Sequence, residues 1–166
     1  MIRARTKLCE CDSDYARFAR FFIANSRQFS RNYQIDSAVA HVLMTLPTSR
    51  ILMYENESGE SIASVQYYYE ADSDTAFIDS AVLLKEYRSS RIFFEGLRDL
   101  VRYVCRDYPA VRRFRFHVQA ENRYLNRLYS KFADPAGERE GYDGPELIYV
   151  SELNRLKAYL RLEQAG

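Results

Sequence analysis

Metal-ligating residues are scarce in this 166-residue chain. It has two histidines, His41 and His117, and three cysteines, Cys9, Cys11 and Cys105, with no CxxC pair and no partner at metal-ligand spacing, so no metal centre is expected. The cysteine count is odd. Cys9 and Cys11 alternate on a predicted strand, Lys7 to Cys11, and neighbours on one strand do not form a disulfide. No segment approaches the eighteen or so apolar residues of a membrane span, and no apolar run follows Met1. The expectation is a soluble cytoplasmic protein with no membrane partner. A net charge of +1 supplies no field to attract nucleic acid. Lysine is rare too: Lys7, Lys85, Lys131 and Lys157 stand against arginine for the rest of the 24 basic residues. That bias suits phosphate ligation and follows equally from genomic base composition.

What is present is an ordinary globular composition, 47% apolar and 28% charged, with no repeat, low-complexity tract or linker. A single domain spanning 1–166 is expected, large enough to bury a core. Apolar residues at helical spacing, Tyr15 to Ile23 and Ile35 to Leu46, predict two helices after the first strand. Asp12-Ser13-Asp14 caps the first helix and Pro47 stops the second. Arg50 to Tyr54 and Ser61 to Tyr69 read as antiparallel strands around a turn that contains Asn56 and Gly59.

The stretch from Ala76 to Phe132 organises the rest. Ala76 to Leu84 is apolar at nearly every position, as a strand covered on both faces requires. From Ile92 to Val104 the apolar residues recur with a 3.6-residue period, while Arg91, Arg98, Arg102 and Arg106 share the opposite face. A strand feeding a helix leaves the first helical N–H groups unpaired at the positive end of the dipole, which is an anion seat or simply a well-capped turn. Arg113 to Val118 alternates as a strand. Asn122 opens a further helix whose face carries Leu125, Asn126 and Tyr129. Ala133 to Pro145 reads as a loop, Glu146 to Val150 as the last strand, and Ser151 as the cap of a terminal helix. The predicted order is β-α-α-β-β-β-α-β-α-β-α, an α+β fold with one mixed sheet.

Two blocks in that stretch resemble the GNAT N-acetyltransferase superfamily. The first is Val82-Leu83-Leu84-Lys85-Glu86-Tyr87-Arg88-Ser89-Ser90-Arg91-Ile92-Phe93, where the family has an apolar strand end and a glycine-rich Tyr-Arg-Gly turn. The second, Asn122, Leu125, Leu128, Tyr129, Phe132, matches the family's Asn-x-x-Ala-x-x-hydrophobic-Tyr block. Ser89, Arg91 and Phe93 stand where turn glycines are usual, and Ala133-Asp134 replaces Gly-Phe. The resemblance implies a mostly antiparallel sheet flanked by helices, here with an added C-terminal helix. It also implies acyl transfer from acetyl-CoA or another acyl-CoA to an amine on a small molecule, peptide or protein.

In that reading the backbone of Val82, Leu83 and Leu84 holds the pantetheine arm. The amides of Arg88, Ser89, Ser90, Arg91, Ile92 and Phe93 hold the pyrophosphate, and Asn122 also bonds the cofactor or serves as a plain N-cap. Tyr129 is the general acid for the departing thiolate. The general base is assigned to Asp79, with Glu70 and His117 as rivals. Two other functions stay open: a GNAT-fold binding module that has lost the cofactor, motivated by the missing glycines, and an acyltransferase fed by acyl-carrier protein docked on the arginines from Arg91 to Arg106. A homodimer is compatible with either.

Overall fold

In the computed structural model, which describes residues 3–28, 34–88, 91–141 and 144–162, the run Thr75–Leu83 becomes the middle strand of one sheet. The chain forms strand β1 (Arg5–Leu8), helices α1 (Asp12–Asn25) and α2 (Ile35–Thr45), and strands β2 (Arg50–Glu55), β3 (Ser61–Glu70) and β4 (Thr75–Leu83). Helix α3 (Ile92–Asp107), strand β5 (Arg113–Gln119), helix α4 (Arg123–Tyr129), strands β6 (Asp134–Gly141) and β7 (Gly144–Glu152) and helix α5 (Leu153–Tyr159) follow. The strand order is β1-β2-β3-β4-β5-β7-β6, and every neighbouring pair is antiparallel except β4 and β5.

Both faces of the sheet are covered, and β2 shows how. Ile51 and Met53 pack with Phe18, Phe22 and Val42 from α1 and α2. Leu52 and Tyr54, pointing the other way, join Leu97, Leu100 and Val101 of α3 and Leu156 of α5. This alternation within an unbroken apolar run is what a two-sided sheet demands. Helix α1 is started by Asp14, whose carboxylate accepts from the backbone N–H groups of Glu10 and Cys11 at 3.1 and 3.4 Å.

Three expectations are corrected. The predicted loop Ala133 to Pro145 contains strand β6, paired along its length with β7. Its residues are exposed from Asp134 to Glu140, so no hydrophobic alternation marks it as a strand. It is an edge strand, which explains how it tolerates Pro135 and the irregularity between Pro135 and Gly137. The strand predicted over Lys7 to Cys11 stops at Leu8, and the backbone then turns so that Cys9 is buried and Cys11 is exposed at the N-cap of α1. The terminal helix, expected as an addition, does follow β7, but that strand runs on to Glu152, so the N-cap is Glu152 and Ser151 lies within the strand.

Phe114, fully buried on β5, is a test of this core. Phe114→Ala is expected to cost about 3–5 kcal/mol, read as a lowered urea midpoint with an unchanged m-value.

Candidate functional site

The site begins with one extra residue. On β4, Ile78 pairs with Tyr67 and Ser80 pairs with Gln66, so Asp79 has no opposite number on β3 and forms a bulge. At the same level the parallel ladder between β4 and β5 ends. It runs from Thr75↔Arg113 to Ile78↔Phe116, although β4 continues to Leu83 and β5 to Gln119. A cleft of about 740 Å³, solvent at its mouth included, lies where pairing stops, between β4 and the residues Phe116, Asn122 and Tyr129.

The strand register fixes which backbone groups face that cleft. Leu84 donates its N–H to Ile62 O at 3.0 Å, and Val82 and Ser64 are opposite each other one pair further on. Alternation therefore turns the N–H and C=O groups of Ala81 and Leu83 away from β3 and toward the opening. Of the three residues expected to hold a pantetheine arm, only Leu83 turns its backbone there, and its carbonyl already accepts from Arg88 Nε, which leaves the N–H. Val82 faces β3, Leu84 gives its N–H to β3 and its carbonyl to Tyr87 N, and Ala81 is the cleft-facing residue that sequence reasoning missed.

Tyr129 is buried, with its ring 4.7 Å from that of Phe116. Among the described residues its hydroxyl has no hydrogen-bond partner, and burial raises its pKa well above the ordinary phenol value, so the proton stays on. Asn122 lines the same cleft and caps α4, its Oδ1 accepting from Leu125 N at 3.1 Å. Arg88 donates from Nε to Leu83 O at 3.2 Å, and its guanidinium lies over the Tyr124 ring at 5.3 Å. Tyr124, also missed by sequence reasoning, donates its hydroxyl to Arg88 O at 2.9 Å and ties α4 to the turn before α3. Ile92 and Phe93 line the cleft at the start of α3, and exposed Arg91 is its N-cap. Ser89 and Ser90 lie outside the described residues.

Asp79 is on the opposite face of the sheet, toward α2, and does not share the cleft with Tyr129. Its Oδ2 is 3.7 Å from His41 Nε2. Burial raises the carboxyl pKa, and the neighbouring His41 opposes that rise. His41 belongs to a network whose protons can all be placed. Thr45 gives its hydroxyl proton to His41 O and Ser49 gives its own to Thr45 O, so both oxygens are left to accept from Gln66 Nε2, at 2.9 and 3.2 Å. Gln66 Oε1 then accepts from Ser80 Oγ at 3.0 Å and from His41 Nε2 at 2.8 Å, so the ring carries its proton on Nε2.

The two rivals for the base differ in what they can offer. Glu70 is engaged by Arg115 at 2.7 Å. His117 has neither ring nitrogen hydrogen-bonded among the described residues, with Glu146 Oε2 3.7 Å from Nδ1. Burial, assisted by Arg139 and Arg115, pushes its pKa down to about 3. Between them Phe77 is covered by side chains instead of a helix, with Arg115 4.8 Å and Arg139 5.8 Å from its ring centre and His117 edge-on at 4.3 Å.

The His117 shift has a measurable sign. An unfolded histidine takes up its proton near pH 6.5, whereas the folded one resists until about pH 3. Stability is therefore expected to fall as pH drops through that window, by at most about 1.4 kcal/mol per pH unit from this group. His117→Phe should flatten that component in denaturation curves collected from pH 7 to 4.

No family model matches the chain, and no curated protein matches it in sequence. Solved structures do match its fold. A GNAT-family protein from Desulfovibrio desulfuricans superposes with a TM-score of 0.70 at 13% identity, covering 91% of this chain and 99% of that one. A spermidine N-acetyltransferase from Vibrio cholerae, solved with CoA and spermine, gives 0.68 at 11% identity over 92% and 97% of the two chains. An aminoglycoside acetyltransferase, solved with coenzyme A and kanamycin, gives 0.70 at 17% identity over 94% and 98%. With its mixed sheet, flanking helices and interrupted β4–β5 ladder, the chain has the fold of the GNAT acetyltransferases.

Proposed function

We propose that the protein is an N-acyltransferase that moves an acyl group from acyl-CoA to an amine. The observation that carries the reading is the cleft at the end of the β4–β5 ladder, where unpaired strand backbone faces a buried, protonated tyrosine. The backbone of Ala81 and the N–H of Leu83, whose carbonyl is held by Arg88, suit the amides of a pantetheine arm, which would extend the ladder that β5 leaves unfinished. The first turn of α3, with Arg88 and Arg91 beside it, suits a diphosphate. Asn122 is committed through Oδ1 to its own helix, so its contribution to the cofactor is through the remaining amide hydrogens. The solved structures of similar fold that contain CoA support this assignment.

Acyl-CoA supplies a thioester whose carbonyl the amine attacks. A C–N bond forms, the C–S bond breaks, and the thiolate takes the Tyr129 proton. The raised phenol pKa keeps that proton in place until a stronger base appears beside it. Asp79, on the face toward α2, receives the proton that the attacking nitrogen sheds. Its raised pKa brings it closer to that task than an exposed carboxylate would be, and Glu70 is held by Arg115. The acceptor is an amine-bearing small molecule or a peptide that reaches the bulge from the Asp79 side, opposite the donor. Donation by a docked acyl-carrier protein is less well supported, because Arg102 and Arg106 are occupied by Asp99 and Asp107 at 3.2 and 3.1 Å.

Isothermal titration with acetyl-CoA is expected to show one site per chain. The absence of heat and of any thermal stabilisation at millimolar ligand would leave a binding module of the same fold. Tyr129→Phe is expected to lower kcat by roughly 10²–10⁴-fold while leaving acetyl-CoA affinity within about twofold. Unchanged turnover would remove the phenol from the mechanism.

A further inference from the structure

On the α2 side of the sheet Phe18, Phe22, Val42, Ile51 and Met53 make ordinary apolar core, yet Gln66, the cross-strand partner of Ile51, is fully buried there and Ser80 nearly so. Replacing a buried, hydrogen-bonded set by apolar side chains of the same shape costs little or nothing, so stability alone does not account for this polar patch. What the patch achieves is order. The bond from His41 Nε2 to Gln66 Oε1 sets the tautomer, and the Phe22 ring, stacked on the imidazole at 4.8 Å and 11°, sets the plane.

That plane brings Nε2 to 3.7 Å from Asp79 Oδ2. The Asp79 side chain is only 18% exposed, yet among the described residues its carboxylate accepts no hydrogen bond. A carboxylate so enclosed is ordinarily tied down by donors, and these lone pairs stay open to an incoming N–H. Burial raises its proton affinity, the imidazole opposes the rise, as Arg139 of β6 does, and Glu146 of β7 adds to it. Tyr68 of β3 lies in the same field, while Arg139 is engaged by Glu146 at 2.7 Å and His117 of β5 faces that same glutamate.

A general base has two requirements that pull apart. It must be ionised before the amine arrives, and it must hold a proton better than an exposed carboxylate does. Burial supplies the second and endangers the first. An imidazole alongside, through its N–H dipole when neutral and its full charge when protonated, restores the first. We propose, resting on Asp79 as the base, that His41 is its positioning residue, held by Phe22 and Gln66 so that Nε2–H stands beside Oδ2 and stabilises the charged carboxylate that receives the amine proton.

The test needs no acceptor. Carboxyl-carbon NMR follows the Asp79 titration, assigned with Asp79→Asn, and ring-nitrogen NMR follows His41, assigned with His117→Phe, which leaves one histidine. The His41 ring signals are expected to shift at the pH where the Asp79 carboxyl titrates, and that inflection is expected to vanish in Asp79→Asn. His41→Phe keeps a ring against Phe22, and Gln66 Oε1 keeps Ser80 as a donor, so the patch stays closed. In that variant the Asp79 titration is expected to move to higher pH. Titrations that ignore each other in the unsubstituted protein would overturn the proposal, whether or not His41→Phe folds, and so would an unmoved Asp79 titration in folded His41→Phe. Thiol release from acetyl-CoA, with water as the acceptor, tests the base separately. Asp79→Asn is expected to slow it roughly 10²–10⁴-fold, and an undiminished rate would remove Asp79 as the base while the coupled titrations still stood.

Discussion

The molecule depends on where β4 stops being a partner of β5. A parallel pair in a covered sheet normally runs as far as both strands do, because each unpaired backbone group withheld from water carries a desolvation cost. Here the extra residue Asp79 re-aims β4 at the level where Ile78↔Phe116 closes the ladder. Arg88 Nε takes up Leu83 O, and the Ala81 groups and the Leu83 N–H are left facing a cleft, which is tolerable because the cleft is open at its mouth. A defect in one ladder thus becomes an edge inside a sheet, and an extended amide-bearing molecule is the natural complement of such an edge.

The bulge also decides which chemistry lies on which side. Without it, strict alternation would place Asp79 and Ser80 on opposite faces. With it, Ser80 bonds Gln66 and Asp79 faces His41, both toward α2, while Ile78 and Ala81 keep the α3 side apolar. The sheet consequently separates a dry compartment, in which a phenol keeps its proton, from a polar one in which a carboxylate has its proton affinity raised. The backbone of β4 stands between the two groups, so each keeps its own surroundings.

Much of this architecture was legible in the sequence because burial writes itself into periodicity. The unbroken apolar run of β4, the 3.6-residue stripe of α3 and the alternation of β5 each reflect how many faces of the element are covered. Strand β6 left no such record, being exposed on both sides, and its register comes only from β7. The bulge was equally silent, since nothing local distinguishes Asp79 as an inserted residue until β3 is laid beside it. That is why Val82 to Leu84 was named as the backbone segment when the pairing selects Ala81 and Leu83. Tyr129 and Asn122 could be picked out because helical spacing alone puts them on one face. Tyr54 and Tyr124 could not, since their places depend on contacts with Gly96 and Arg88 far away in sequence.

The covering of Phe77 differs in kind from the covering of the rest of the sheet. Elsewhere a helix would have to move as a body to uncover the core, breaking many contacts together. Over Phe77 the cover is side chains: the rings of Tyr68 and His117 at 4.5 and 4.3 Å, and two guanidinium groups, each moored to its own carboxylate, Arg115 to Glu70 and Arg139 to Glu146. Such a cover is held by ring contacts and two ion pairs, with no helix in it. This patch of the sheet therefore owes its closure partly to charge, and salt that screens the Arg115–Glu70 and Arg139–Glu146 pairs acts on it as it cannot on core beneath a helix.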